Sequence, residues 1–207
     1  MALSKAKIFN LALSALLLQR RTVDPDTDQS NEVKVLLTHY DVALESTLED
    51  CDLDSTAVEG ILALVEADPN DQWDYAYAYP SDCLFFRRIQ PDDRTVVDDR
   101  STHQPKLVRI HNGQKVIFTD KEEAIGEWIS SSVPISSFSA NLGLALAYKL
   151  AMLSAPLIVG KGAKSLTDSI ERKYITAKAE AQEKDRRESF SYVDEIFESE
   201  FVRARTT

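Results

Sequence analysis

PISSFSANLGLALAYKLAMLSAPLIVGKGAKSLTDSIERKYITAKAEAQEKDRRE, residues 134–188, is the stretch around which the rest of the chain is read. Ile135, Phe138, Leu142, Ala145, Leu146, Lys149 and Leu153 recur at helical spacing, and Leu166, Ile170, Tyr174, Ala177 and Ala181 do so again. Pro156 predicts the end of the first helix, Gly160 and Gly162 the turn, and the charged run 180–188 the end of the second. A helical hairpin follows, and neither helix can bury its apolar stripe alone. The first helix is rich in small residues (Ala140, Gly143, Ala145, Ala147, Ala151, Ala155). Such residues admit another helix or a neighbouring subunit at close range, although ordinary core packing uses them too.

Length allows one large or two small domains for the 207 residues, with enough apolar side chains for a sizeable core. The best apolar run, 2–18, is broken by Ser4, Lys5, Lys7, Asn10 and Ser14, so it reads as a helix rather than a membrane span or signal peptide. Cys51 and Cys83 have no metal-like spacing and form no disulfide framework, which favours a cytosolic origin. The formal net charge of −10 argues against a grip on nucleic acid that works by neutralising phosphates. That charge is uneven. Residues 22–86 carry sixteen Asp and Glu against one basic residue, Lys34, whereas residues 161–207 carry ten of each sign. An acidic block is ordinarily a set of solvated faces and caps; its alternative use is a surface that repels a polyanion.

In chain order, residues 4–18 read as a helix with Ile8, Leu11, Ala12, Ala15 and Leu18 on one side. Asp24-Pro25-Asp26-Thr27-Asp28 is similar to the opening of a calcium loop, but Gln29 and Val35 stand where such a loop needs Gly and Glu. These carboxylates are read as caps for a second helix, 29–49, which presents Val33, Leu36, Leu37, Tyr40, Leu44 and Leu48 and carries the lone His39. The run 61–65 reads as a strand, 68–71 as a turn, and Trp73, Tyr75, Tyr77 and Tyr79 alternate as an aromatic strand face stopped by Pro80. Residues 84–89 are another strand, 90–105 a long polar loop, and 107–111 with 114–118 flank the hairpin signal Asn112-Gly113. One more strand lies within 123–131 around Trp128.

Two helices, four to six short strands and two more helices give an expected class of α+β, mainly α. The predicted architecture is a four-helix bundle built from the N- and C-terminal helix pairs, with a small β module inserted and an extended C-terminal arm. Residues 1–50 and 134–188 supply the bundle halves, 51–133 the β module and loops, and 189–207 the arm.

This order resembles the head-to-tail adaptor proteins of tailed bacteriophages, the family that includes the tail tubular protein A of short-tailed phages. The resemblance is carried by Trp73-Asp74-Tyr75-Ala76-Tyr77-Ala78-Tyr79-Pro80-Ser81-Asp82-Cys83-Leu84, which is similar to that family's tyrosine and proline segment leading into Ser-Asp-Cys-Leu. Val116-Ile117-Phe118-Thr119-Asp120, Phe138, Leu144-Ala145-Leu146-Ala147-Tyr148-Lys149-Leu150-Ala151 and the alanine and charge pattern of 174–188 complete it. It spans nearly the whole chain but not the segment 90–105. The resemblance implies a structural virion protein at the neck, present in the host cytoplasm during assembly. It implies a homo-oligomeric ring, in that family usually of twelve copies, between the portal protein and a tail or nozzle protein. DNA then passes through the lumen without specific binding, and no membrane is involved.

A conduit for DNA must avoid holding it, because each basic contact to phosphate adds affinity. Glu45, Glu49, Asp50, Asp52 and Asp54, from the acidic block, are therefore the candidate channel lining. Beyond residue 188, Phe190, Tyr192, Ile196, Phe197, Phe201, Arg203 and Arg205 make the end of the chain aromatic and then basic, a composition suited to docking on a neighbour or the portal, or to folding back on its own bundle. An enzyme has little support. Gly160-Lys161-Gly162-Ala163-Lys164-Ser165 lacks P-loop spacing, no Gly-x-Ser-x-Gly elbow occurs, and the carboxylates cannot be paired into an acid and a base. No catalytic residue, metal or cofactor is expected. The alternatives are a tail terminator or head completion protein, distinguishable by subunit count, and a soluble acidic enzyme or binding module, distinguishable by a monomer that binds a small molecule.

Overall fold

The computed structural model describes residues 3–19, 21–90 and 105–203, with side chains as far as residue 188. It divides into two compact units, one made of Met1–Thr56 with Val133–Thr207, the other of Ala57–Ser132.

The first unit holds α1 (Lys5–Ala15), α2 (Asn31–Cys51), α3 (Ala140–Ile158) and α4 (Ala163–Arg203). Ser4 caps α1 by accepting a hydrogen bond from the Lys7 N–H, and the helix stops where Leu17 takes a left-handed φ of 62°. The Asn10 side chain then clasps the returning chain, donating to the Thr22 carbonyl and accepting from the Thr22 N–H, both at 2.8 Å. In the calcium-like stretch, Asp24 accepts from the Asp26 N–H and the Thr27 hydroxyl, and Asp28 from the Ser30 N–H. Those carboxylates order the turn before α2, while Ser30 at the N-cap makes no side-chain capping bond.

α3 is the centre of this unit, because α1, α2 and α4 each pack mainly on it and only slightly on one another. Its small residues explain this placement. Ala145, Leu146, Ala147, Leu150, Ala151 and Ala155 are fully buried and fall on several faces of the helix. A Cβ on Gly143 would lie 2.6 Å from Leu3 Cδ1, so any larger residue there would make the Leu3 side chain shift. By length and composition α3 is apolar enough to cross a bilayer, and the packing of three helices around it accounts for that apolarity.

The second unit contains seven described strands: β1 (Ala57–Ile61), β2 (Leu64–Asn70), β3 (Trp73–Ala78), β4 (Cys83–Ile89), β5 (Leu107–His111), β6 (Gln114–Thr119) and β7 (Ile125–Ser130). They form two antiparallel sheets ordered β1-β7-β4 and β2-β3-β6-β5. Leu62, Tyr77, Phe86, Ile89, Ile117, Ala124 and Trp128 make the core. Gly126 in β7 lets that core close, since a Cβ there would meet Phe86 Cε2 at 2.7 Å and Leu62 Cδ2 at 2.9 Å. Asn112 and Gly113 take φ values of 49° and 80°, as the two-residue turn between β5 and β6 requires. The buried Glu127 accepts from Arg87 at 3.0 Å and Arg88 at 2.7 Å, which satisfies a carboxylate that could not otherwise be buried in β7.

These observations correct the expected class. With 49% helix, 25% strand and antiparallel sheets of three and four strands, the protein is not a helix-dominated four-helix bundle. The N-terminal helices do not make a tight pair that meets a C-terminal pair, because each rests on α3. The run 61–65 is not one strand: the chain passes from one sheet to the other at Leu62 and Ala63, whose backbone bonds go to Ala124 and Ala78. Pro156 lies inside α3, close enough to the end that the Val159 N–H still reaches the Ala155 carbonyl at 2.9 Å. The second hairpin helix does not stop at residue 188, and no extended arm begins there, since α4 runs unbroken to Arg203. Between 163 and 207 the sequence holds neither Gly nor Pro and is rich in Ala, Glu, Lys and Arg, so nothing in it ends a helix.

Candidate interaction surfaces

The candidate acidic residues sit at and just beyond the C-terminal end of α2. Glu45, Glu49, Asp50, Asp52 and Asp54 are all exposed, with Asp52 in the left-handed position that ends the helix at φ 46°. Asp50 is occupied: its Oδ2 accepts from Tyr174 Oη at 2.6 Å and Lys149 Nζ at 2.9 Å, joining α2 to α4 and α3. Desolvation opposes its ionisation, but the bonds from Tyr174 and Lys149 and the charges of Lys149 and Lys178 outweigh it and hold the carboxyl below its ordinary value. Burial first, then the bond to Asp50, pushes the Tyr174 phenol far up, so Tyr174 stays a proton donor throughout the physiological range. Burial also raises the Cys51 thiol to about 11, which leaves it unreactive.

Two further side chains of α4 stitch it to the same corner. Gln182 donates to the Cys51 carbonyl at 2.9 Å, and Asp185 accepts from the Asp54 N–H at 2.6 Å and the Ser55 N–H at 3.1 Å. Sequence reasoning missed Asp185 and Tyr174 as clamps. Their partners lie more than 120 residues away in the chain, and a carboxylate in a charged helical run gives no sign of which backbone it will meet.

A second surface lies along α3 and α4. An open groove of about 330 Å³ is lined by Leu144 and Tyr148 of α3 and by Arg172, Lys173, Thr176, Ala177 and Glu180 of α4. Its apolar floor rests on the cluster of Ala145, Tyr174 and Ala177. Arg172 and Lys173 are exposed and make no ion pair among the described residues.

The candidate docking residues Phe190, Tyr192, Ile196, Phe197, Phe201 and Arg203 lie on the last turns of α4, with their side chains outside the described set; Arg205 lies outside it entirely. His39 on α2 is half-buried, and its Nε2 finds no hydrogen-bond partner among the described residues. In the β unit Lys106 Nζ lies 4.6 Å over the Phe86 ring and donates to the Phe86 and Arg87 carbonyls, and burial lowers this amine to about 8. Among the described residues no group of three or more His, Cys, Asp or Glu could hold a metal ion.

No model of a known protein family matches the chain, and no curated protein matches it in sequence.

Proposed function

We propose that this chain is a ring-forming structural adaptor of a bacteriophage neck, placed between the portal and a tail or nozzle protein, with DNA passing through the ring unbound. The observation that carries the reading is the length of α4. Its 41 residues extend about 60 Å, against about 28 Å for the 19 residues of α3, the helix on which it mainly packs. Among the described residues the last stitch to the α2 corner is Asp185, and α4 continues for eighteen residues beyond that point. A helix gains little from propensity alone, and an extension of this length calls for an apolar face set against other structure. In that extension the sequence supplies Phe190, Tyr192, Ile196, Phe197 and Phe201.

The exposed carboxylates at the end of α2 suit the conduit part of the reading. Copies arranged in a ring repeat Glu45, Glu49, Asp52 and Asp54 around its axis, and a like-charged rim raises the energy of any bound duplex. Asp50 contributes less, because Lys149 offsets its charge. The experiment is electron microscopy of virions labelled on this chain. Label at the junction of head and tail is the expected result; label on the capsid faces, on the fibres or nowhere on the particle overturns the reading.

A further inference from the structure

We infer that the groove between α3 and α4 receives the last turns of α4 from a second copy of the chain. The inference builds on the ring reading, because it names the contact that would join neighbours.

The groove offers an apolar floor, Leu144, Tyr148 and Ala177, beside two cations, Arg172 and Lys173, that make no ion pair among the described residues and outnumber the single carboxylate of its lining, Glu180. Its occupant should therefore carry an apolar stripe flanked by negative charge. The end of this chain has that pattern: Phe190, Val193, Phe197 and Phe201 follow one another at intervals of three, four and four, the repeat of a single helical face. Asp194, Glu195, Glu198 and Glu200 fall between them, and Arg203 is the only basic residue from 189 to 203. Charge and apolar spacing thus complement the groove together.

The same copy cannot supply this occupant. α4 is one continuous helix, so Val193 stands about 24 Å along its axis from Ala177, and a rigid helix cannot turn back on its own middle. Residues 189–203 of one copy must therefore meet the groove of another. Groove and terminal turns are different surfaces, which makes the contact head-to-tail, the kind that closes into a ring when the rotation per subunit divides a full turn.

The test uses full-length chains carrying Cys83→Ser. One bears Thr176→Cys in the groove and the other Val193→Cys; they are mixed, oxidised and analysed by mass spectrometry. The expected product is a disulfide-linked heterodimer joining positions 176 and 193. Its yield should fall by about tenfold when Arg172→Glu and Lys173→Glu are added to the first chain, and should recover when Glu195→Lys and Glu198→Lys are added to the second. A control with Lys115→Cys in place of Val193→Cys should give little product. Absence of the heterodimer above that control, or a yield indifferent to charge reversal, overturns the inference. The labelled-virion experiment is independent of it: neck label without the cross-link removes only the groove contact, and the cross-link without neck label removes only the phage role.

Discussion

In the β unit every strand partner comes from one continuous stretch, 57–132, while the helical unit must bring residues 1–56 to residues 133–207 before α3 has anything to pack on. The two regions therefore rely on different stabilising devices. The β unit uses hairpins, interlocked aromatics and glycines that let them close, with Glu127 paired to the two arginines of a neighbouring strand. The helical unit uses small residues on a central helix, then a few polar side chains that fasten backbone or another side chain across long sequence separations. Loop-closure entropy contributes to the contrast: the β2–β3 and β5–β6 hairpins cost little to assemble and the other three pairings close within one stretch, whereas the helical unit must bring the two ends of the chain together.

That comparison is most sharply tested in the helical unit. Leu150→Ala opens a cavity in the fully buried face of α3 and should cost about 2–5 kcal/mol in urea unfolding followed by helix signal. The fragment 57–132, which lacks α3 altogether, should still fold and retain its tryptophan fluorescence. A fragment with no cooperative transition would break the distinction between the units.

Asp185→Ala should come next, at about 1–3 kcal/mol, because it strands the Asp54 and Ser55 N–H groups that its carboxylate now accepts. Asp185→Asn, which keeps one acceptor oxygen, should recover part of that loss in the same urea titration. Equal loss in both variants would mean that the two N–H groups are not what Asp185 contributes. In the β unit, Gly126→Ala drives a methyl group into Phe86 and Leu62 and should cost about 1–3 kcal/mol by overpacking. Pairing it with Phe86→Leu should relieve the clash, and a pair whose effects simply add would place the strain elsewhere.

The smallest effect is a pH dependence. The folded Asp50 carboxyl lies below its ordinary value of 3.8, so its bonds to Tyr174 and Lys149 add stability above that pH, and the addition disappears as pH falls through the lower folded value. Asp50→Asn should lower stability slightly near neutrality, where the Asp50 contribution is fully present, and flatten the profile below pH 4, where that contribution is lost anyway, as read from thermal midpoints across an acid series. An unchanged acid limb would assign that dependence to other carboxylates.

The same contrast decides what could be read in the sequence. Asn112-Gly113 and the alternating residues from Trp73 to Tyr79 specify local geometry, and the structure forms β5, β6 and β3 there. The helical spacing of Leu142, Ala145, Leu146 and Leu153 likewise corresponds to α3. What could not be read depends on partners distant in the chain. Whether small residues place a helix at the centre or in one member of a pair is settled by Leu3 against Gly143 and by packing on three sides. The run 61–65 looks like one strand because a change of sheet leaves no mark on hydrophobicity: Leu62 turns inward while Ile61 and Leu64 stay exposed. Pro156 and Glu188 mislead for another reason. A proline near a helix end removes few bonds, and a charged run does not stop a helix. Of the candidate surfaces, the acidic corner was visible as composition, but the bonds that occupy Asp50 and the cations of the groove were not.

The proposed adaptor role is tested most directly by examining phage particles assembled without this chain. The account predicts DNA-filled or leaking heads accumulating apart from tails, with joining restored when the full-length protein is added back. Filled heads already attached to complete tails in its absence would contradict it.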